Sequence, residues 1–224
     1  MYRSCLALLL FTMSLTAAEW ELPGIHGNAP NVWKEGVNWR WDAENPMSEK
    51  GATWRLLYQP SLTEPALKPM VAGKAYDFNF VWREAGDSFD PAVFFQDRTL
   101  NAQSRPDGPG QGPVSAVVFT PGKAGSYRFV VTGAIAVQNP TAGNALATLA
   151  VCSESGAVLR PLKELNLNTS GGHGGFPGDF TWNETVALAA GEAFAVKLQA
   201  VNPSSAEAGR CSLAFTAFTV TSEN

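Results

Sequence analysis

Apolar and polar residues alternate with a period of two along several stretches of the chain. Phe78, Phe80 and Trp82 are separated by Asn79 and Val81, with Asp77 and Arg83 at the flanks. Tyr127, Phe129 and Val131 alternate with Arg128, Val130 and Thr132, and Phe194, Val196 and Leu198 alternate with Ala195, Lys197 and Gln199. Each is the pattern of a half-buried strand. Residues 145–152 and 213–220 are more continuously apolar, as expected of strands covered on both faces or carrying a bulge. No stretch of helical length carries a 3.6-residue period with caps, and Gly and Pro interrupt the chain too often for long helices. The pattern predicts an all-β fold.

Two blocks repeat one design. Residues 114–132 join two β-type runs across Pro121-Gly122-Lys123-Ala124-Gly125, and residues 186–198 do so across Ala189-Ala190-Gly191-Glu192. Both read as strands folding back across a tight Gly-containing turn, as in antiparallel sandwiches. Residues 105–113, 169–175 and 202–209 are Pro-, Gly- or Ser-rich and read as loops. Loop 105–113 is read as internal to one domain, because the segment before it supplies too few clean strands for a sandwich of its own. The expectation is a single antiparallel β-sandwich over 19–224, with 19–60 as an irregular wrapping segment or edge strands.

The first eighteen residues carry Arg3, an apolar core from Cys5 to Leu15, and small residues at Thr16 and Ala18. That is a secretory signal peptide, with an apolar core too short to span a bilayer. The protein is therefore expected to be secreted or periplasmic, without a membrane span. Its net charge of −4 and lack of a Lys/Arg cluster leave no electrostatic footprint for nucleic acid. Cys5 leaves with the signal. The remaining two cysteines, Cys152 and Cys211, predict one disulfide in an oxidising compartment, the alternative being two small buried thiols.

Known chemistries find few footholds. His26 and His173 stand apart, without the His-x-His spacing of a metal cupin, and His173 lies in a Gly-rich loop. There is no Gly-x-Ser-x-Gly elbow and no phosphate loop. Glycoside cleavage needs two convergent carboxylates; Asp87, Asp90, Asp97, Glu184 and Glu192 supply acids but no visible pair. No calcium-loop spacing organises Asp87, Asp90 and Asp97. No catalytic residue, metal or cofactor is expected.

The tryptophans carry more information. All seven follow the signal peptide, and Trp33, Trp39, Trp41 and Trp54 concentrate early. If extended, Trp39 and Trp41 share one face with Arg40 and Asp42 on the other. Flat aromatic faces cover the C–H faces of sugar rings while nearby polar groups take the hydroxyls. Trp39, Trp41, Trp54 and Tyr58 are thus candidate stacking residues, with Arg40, Asp42 and Asn45 as polar neighbours. The competing reading is that these indoles plug the core.

Three signatures spread over residues 45–220: Asn45, Pro46, Gly51 and Trp54; Pro121, Gly125 and Tyr127; and Leu188, Gly191, Glu192 and Phe194. On these residues the chain resembles secreted bacterial jelly-roll modules described as carbohydrate-binding-like. The two later signatures, with the strand around Phe215 and Phe218, also resemble the jelly rolls of complement globular heads and tumour necrosis factor, which assemble as trimers. Both resemblances imply a jelly-roll sandwich. The first implies a polysaccharide or glycan partner, the second a homo-oligomer. The leading expectation is a non-catalytic extracellular carbohydrate-binding module acting by aromatic stacking and hydrogen bonding. A structural self-assembly module is the alternative, and a polysaccharide-active enzyme the third.

Overall fold

A computed structural model describes residues 17–22, 45–60, 64, 66–75, 79–83, 92–96, 99–104, 110–138, 144–168, 179–202 and 210–223. They form fifteen strands and, among the described residues, no helix. In chain order these are β1 (Glu19–Glu21), β2 (Met47–Glu49), β3 (Ala52–Tyr58), β4 (Lys68–Pro69), β5 (Val71–Ala75), β6 (Asn79–Arg83), β7 (Ala92–Gln96) and β8 (Thr99–Ser104). There follow β9 (Gly110–Thr120), β10 (Gly125–Gln138), β11 (Asn144–Ser153), β12 (Val158–Asn168), β13 (Asp179–Leu188), β14 (Glu192–Asn202) and β15 (Arg210–Glu223).

Two antiparallel sheets face each other. The first runs β13-β10-β15-β8-β7-β6-β5, with β1 also on β15; the second runs β12-β11-β14-β9-β3-β2, with β4 also on β3. Strands β8 to β15 form a rolled antiparallel ribbon: β8 pairs β15, β9 pairs β14, β10 pairs β13 and β11 pairs β12. The resulting sheet orders, β8-β15-β10-β13 and β9-β14-β11-β12, are those of a jelly roll. The expected fold class, a jelly-roll β-sandwich, is what the strand order gives.

The two Gly turns differ from expectation. β9 and β10 lie in different sheets, as do β13 and β14, so both turns cross the sandwich and neither makes a hairpin. Phe119 on β9 meets Tyr127 and Phe129 of β10 across the interior, at ring-centroid distances of 6.4 and 6.0 Å. Turn chemistry is local, whereas the sheet each strand joins depends on which inward side chains meet. Tyr127 braces the first turn by donating its hydroxyl to the Lys123 carbonyl at 2.7 Å. Gly122 lies against Gly51, whose carbonyl oxygen a Cβ at Gly122 would strike. Gly51 and Lys50, both at positive φ, form the two-residue loop of the β2–β3 hairpin.

The described parts of segment 19–60, residues 19–22 and 45–60, hold regular strands, one of them inside a sheet. β3 lies inside the second sheet between β9 and the short strands β2 and β4, with Trp54, Leu56 and Tyr58 turned inward. β1 lies beside the end of β15 and buries Trp20, while Leu22 just beyond it is fully buried. The interior is a run of aromatic rings. Trp20 meets Phe119 at 5.6 Å, Phe119 meets Trp54 at 4.8 Å, and Trp54 meets Phe218 edge-on at 5.0 Å. Phe194 stacks between Phe129 and Trp182, at 4.1 and 5.3 Å. Offset and edge-on pairs of this kind add to the gain from burial alone.

The expected disulfide is not formed: Cys152 is a free, buried thiol. Its neighbours Val151 and Ala147 face the interior, while Cys152 points outward with Ala193, Ala195, Ala116 and Val118 into a second apolar cluster. Cys211 stands in the other sheet, beside Val137 and Ser104. The Cys152 end of the second sheet faces Phe218, through the Phe194–Phe218 contact at 5.8 Å beside Ala193. Between Phe218 and Cys211, β15 runs roughly 20 Å, far beyond the ~7 Å Cα separation a disulfide tolerates.

Candidate functional site

The outer faces of the two sheets are unlike. On the second sheet, small residues (Ala116, Ala193, Ala195) and Cys152 leave room for an overlay, and Leu67 packs onto them. Gly156 sits so close to Leu67 and Leu57 that a Cβ there would strike Leu67. Lys197 crosses this face and donates to the Gly156 carbonyl at 2.5 Å. Arg55 donates to Thr120 at 2.7 Å and to Glu154 at 3.3 Å. Burial lowers the Lys197 ammonium below its ordinary value and pushes the Cys152 thiol up to about 11, the nearby lysine opposing only in part. At neutral pH Cys152 is therefore a buried, protonated thiol. This face is covered structure.

The first sheet carries the opposite pattern across β13, β10, β15 and β1. Inward positions of β10 are Tyr127, Phe129 and Val131, so the intervening residues point out. Register then aligns outward side chains in rows. One row reads Thr185, Arg128, Thr221, Glu19; the next reads Asn183, Val130, Thr219, Glu21; a third reads Thr181, Thr132, Ala217. Every one of these side chains is exposed or half-buried. Two diagonal hydrogen bonds tie the rows together. Arg128 donates from Nε to Asn183 at 3.0 Å, and Thr185 donates to Glu223 at 3.0 Å. Strands lie ~4.8 Å apart and same-face residues ~6.8 Å apart along a strand, so four strands present a grid about 14 Å wide. Chemically, the grid offers hydroxyl and amide groups that both donate and accept, one guanidinium, and Val130 as an apolar centre.

Of the residues singled out from sequence, the described ones (Trp54, Tyr58 and Asn45) fall elsewhere. Trp54 is fully buried and Tyr58 nearly so, both in the core. Their inward direction follows from β3 being an interior strand, so neither presents a face to a ligand. Asn45 has a structural role: its Nδ2 donates to the carbonyls of Leu56 and Met70 at 2.7 and 2.8 Å, and its Oδ1 accepts from Leu56 N at 2.9 Å. The carboxamide serves Leu56 N in the gap between the stretches paired by β2 and β4, and shares the Leu56 carbonyl with Met70 N. Trp39, Trp41, Arg40 and Asp42 lie outside the described residues. The grid itself went unread in the sequence, although Arg128, Val130 and Thr132 were visible as the outward half of an alternating strand.

Among the described residues, no group of three or more His, Cys, Asp or Glu side chains converges as a metal site. Among the described residues there is no helix, and so none long and apolar enough to cross a membrane.

No known family matches the chain, and no curated protein sequence matches it. Several solved structures are distantly similar. A family 35 carbohydrate binding module from Clostridium thermocellum aligns over 75% of this chain and 92% of its own, with 11% identity and a TM-score of 0.29. The infectious bursal disease virus Gt strain structure aligns over 80% of this chain and 55% of its own, with 11% identity and a TM-score of 0.30. The enzymatically active domain of tailspike protein 4 from bacteriophage CBA120 aligns over 74% of this chain and 19% of its own, with 12% identity and a TM-score of 0.27. The likeness is distant in every case, and the jelly-roll assignment rests on the strand order of this chain.

Proposed function

We propose that the protein is an exported, non-catalytic carbohydrate-binding module whose ligand lies on the Thr/Asn/Arg grid of the first sheet. The observation carrying this reading is the contrast between the faces: one sheet is overlaid by its own chain, and the other holds an ordered, hydrogen-bonded polar array at its surface. Sugar hydroxyls donate and accept, as do Thr and Asn side chains, and Val130 offers a small apolar contact for a ring face. The array stands on paired strands, which hold it in place before a ligand arrives. Export fits the N-terminal signal, and extracellular glycans are abundant partners in that compartment. Trp39 and Trp41, which lie outside the described residues, remain stacking candidates on the sequence pattern alone, with Arg40 and Asp42 as their polar neighbours.

Affinity electrophoresis on a panel of soluble polysaccharides tests the reading. The wild type should be retarded by at least one. Arg128→Ala and Thr221→Ala should weaken that retardation while melting close to wild type, because both side chains lie outside the core. Variants that migrate like wild type in every gel would remove the grid from consideration. Trp39→Ala and Trp41→Ala, run alongside, report whether an indole adds to binding.

A structural assembly module is the second reading, favoured by one feature. β12 is an edge strand with Val158 and Leu159 exposed to 47% and 56%. Such an edge invites pairing with a second copy. Pro161, Lys163 and Glu164 on the same strand act against it, by removing a donor and adding charge. Light scattering over a wide concentration range separates the two: a mass near three times that of the mature chain supports assembly.

A further inference from the structure

The two sheets end on one side of the sandwich in β12 and β13, each paired with a single neighbour among the described residues. The Arg160 guanidinium joins the two strands by donating to the Ala187 carbonyl at 3.3 Å. An open strand edge is a template for another strand, and the exposed Val158 and Leu159 make this one apolar as well. Three features of the pair work in the opposite direction.

Charge stands where the alternation calls for apolar side chains. On β13, Phe180, Trp182, Val186 and Leu188 face the interior, and the unbroken register carries Glu184 in the same phase, opposite the core residue Phe129. On β12, Lys163 lies opposite Leu149 and Arg160 opposite Val151, both core residues. All three charged side chains are exposed, so they leave the interior at its rim. A strand added to either edge would extend the inner face over them and strip their water. The edge is also irregular. Leu149 pairs Lys163 and Ala150 pairs Pro161, which skips Leu162; Val151 pairs Arg160 and Cys152 pairs Val158, which skips Leu159. Each bulge bends the strand and breaks the spacing an incoming ladder needs. Between the bulges, Pro161 has no N–H to give.

We infer that β12 and β13 form a guarded rim, built to keep this side of the sandwich from pairing with a second copy of the chain. The inference is independent of the glycan reading, and it opposes assembly through β12.

Light scattering of the mature protein, from about 5 to about 500 μM, tests it, with hydrogen exchange reporting which strand is covered. Wild type should hold the mass of one chain throughout. Lys163→Val with Glu184→Val should raise the mass about twofold or more at the upper end, with the β12 amides gaining protection at that concentration. Leu159→Lys added to that pair should restore the mass of one chain, because it returns charge to the edge at an exposed position. If the double variant loses its β-sheet spectrum, Lys163→Thr and Glu184→Thr, mild changes for exposed strand positions, carry the same test. Wild type that associates, with β12 amides that lose protection on dilution, would overturn the inference. Folded variants that stay single chains at every concentration would overturn it too, since the charges would then guard nothing. A rise in mass without protection of β12, or one that Leu159→Lys leaves unchanged, would place the contact elsewhere and count against it equally.

Discussion

Trp54 separates a stacking residue from a core residue most sharply. Its indole is fully buried, touching Phe119 at 4.8 Å and Phe218 at 5.0 Å, on a strand hydrogen-bonded on both sides. Truncation to Ala empties a bicyclic volume at the meeting of two sheets, which costs about 3–5 kcal/mol. For a domain of this size each kcal/mol lowers Tm by about 2–4 °C, so Trp54→Ala should melt roughly 6–20 °C early. Trp54→Phe gives a second reading. The Nε1 of Trp54 is buried without a hydrogen-bond partner among the described residues. Phe removes that desolvated donor, a relief of order 1–3 kcal/mol, against the cost of a smaller ring. Trp54→Phe should therefore cost about 1 kcal/mol, a small fraction of the Ala variant. The assay is chemical denaturation with thermal melts, alongside glycan retention well below each Tm. Core placement predicts large stability losses for Ala and unchanged retention. A Trp54→Ala protein that melts like wild type but loses retention would refute the reasoning.

Other consequences are as direct. Asn45→Ala strips two hydrogen bonds from Leu56 on β3 and one from the Met70 carbonyl and should cost about 2–4 kcal/mol by denaturant unfolding, at ~1 kcal/mol per bond plus the Leu56 N–H left unpaired. Trp20→Ala should cost about 3–5 kcal/mol, because β1 buries this indole against Phe119 and Tyr127; a melt within 2 °C of wild type would show that β1 does not hold the fold. Mass spectrometry under non-reducing conditions should find Cys152 as a thiol that alkylates only after denaturation; a Cys152–Cys211 peptide would contradict the strand register. The Cys152 thiol, raised to about 11 by burial, favours the folded state below the ordinary thiol value and loses that contribution as pH rises toward 11. Wild type should thus lose about 2–3 kcal/mol more than Cys152→Ala between pH ~9 and ~11; parallel pH profiles would count against it.

The parts legible in the sequence were those set by local periodicity. Tyr127, Phe129 and Val131 announced β10, Phe194, Val196 and Leu198 announced β14, and the wealth of such strands announced a sandwich. Four features escaped, three of them because they depend on non-local pairing. The same turn chemistry serves a hairpin and a crossing between sheets, and only the meeting of Phe119 with Phe129 decides between them. The disulfide was inferred from an even count, whereas parity along β11 turns Cys152 away from the interior and register places Cys211 far along the other sheet. Trp54 and Tyr58 were grouped with Trp39 and Trp41 by proximity in sequence. The alternation of Trp54, Leu56 and Tyr58 with Thr53 and Arg55 was the signal for an interior strand, and it predicts burial. The grid needs Asn183, Val130, Thr219 and Glu21 in one row, drawn from four strands spread across the chain.

Backbone amide spectra of the isotopically labelled mature protein, titrated with a short soluble oligosaccharide from whichever polysaccharide retards it, test the central claim most directly. The amides of Arg128, Val130, Thr132, Asn183, Thr219 and Thr221 should shift together and saturate with one affinity, while those of Val118, Cys152 and Ala195 on the overlaid face stay still. Shifts confined to the overlaid face, or to residues 23–44 with the grid silent, would contradict the account.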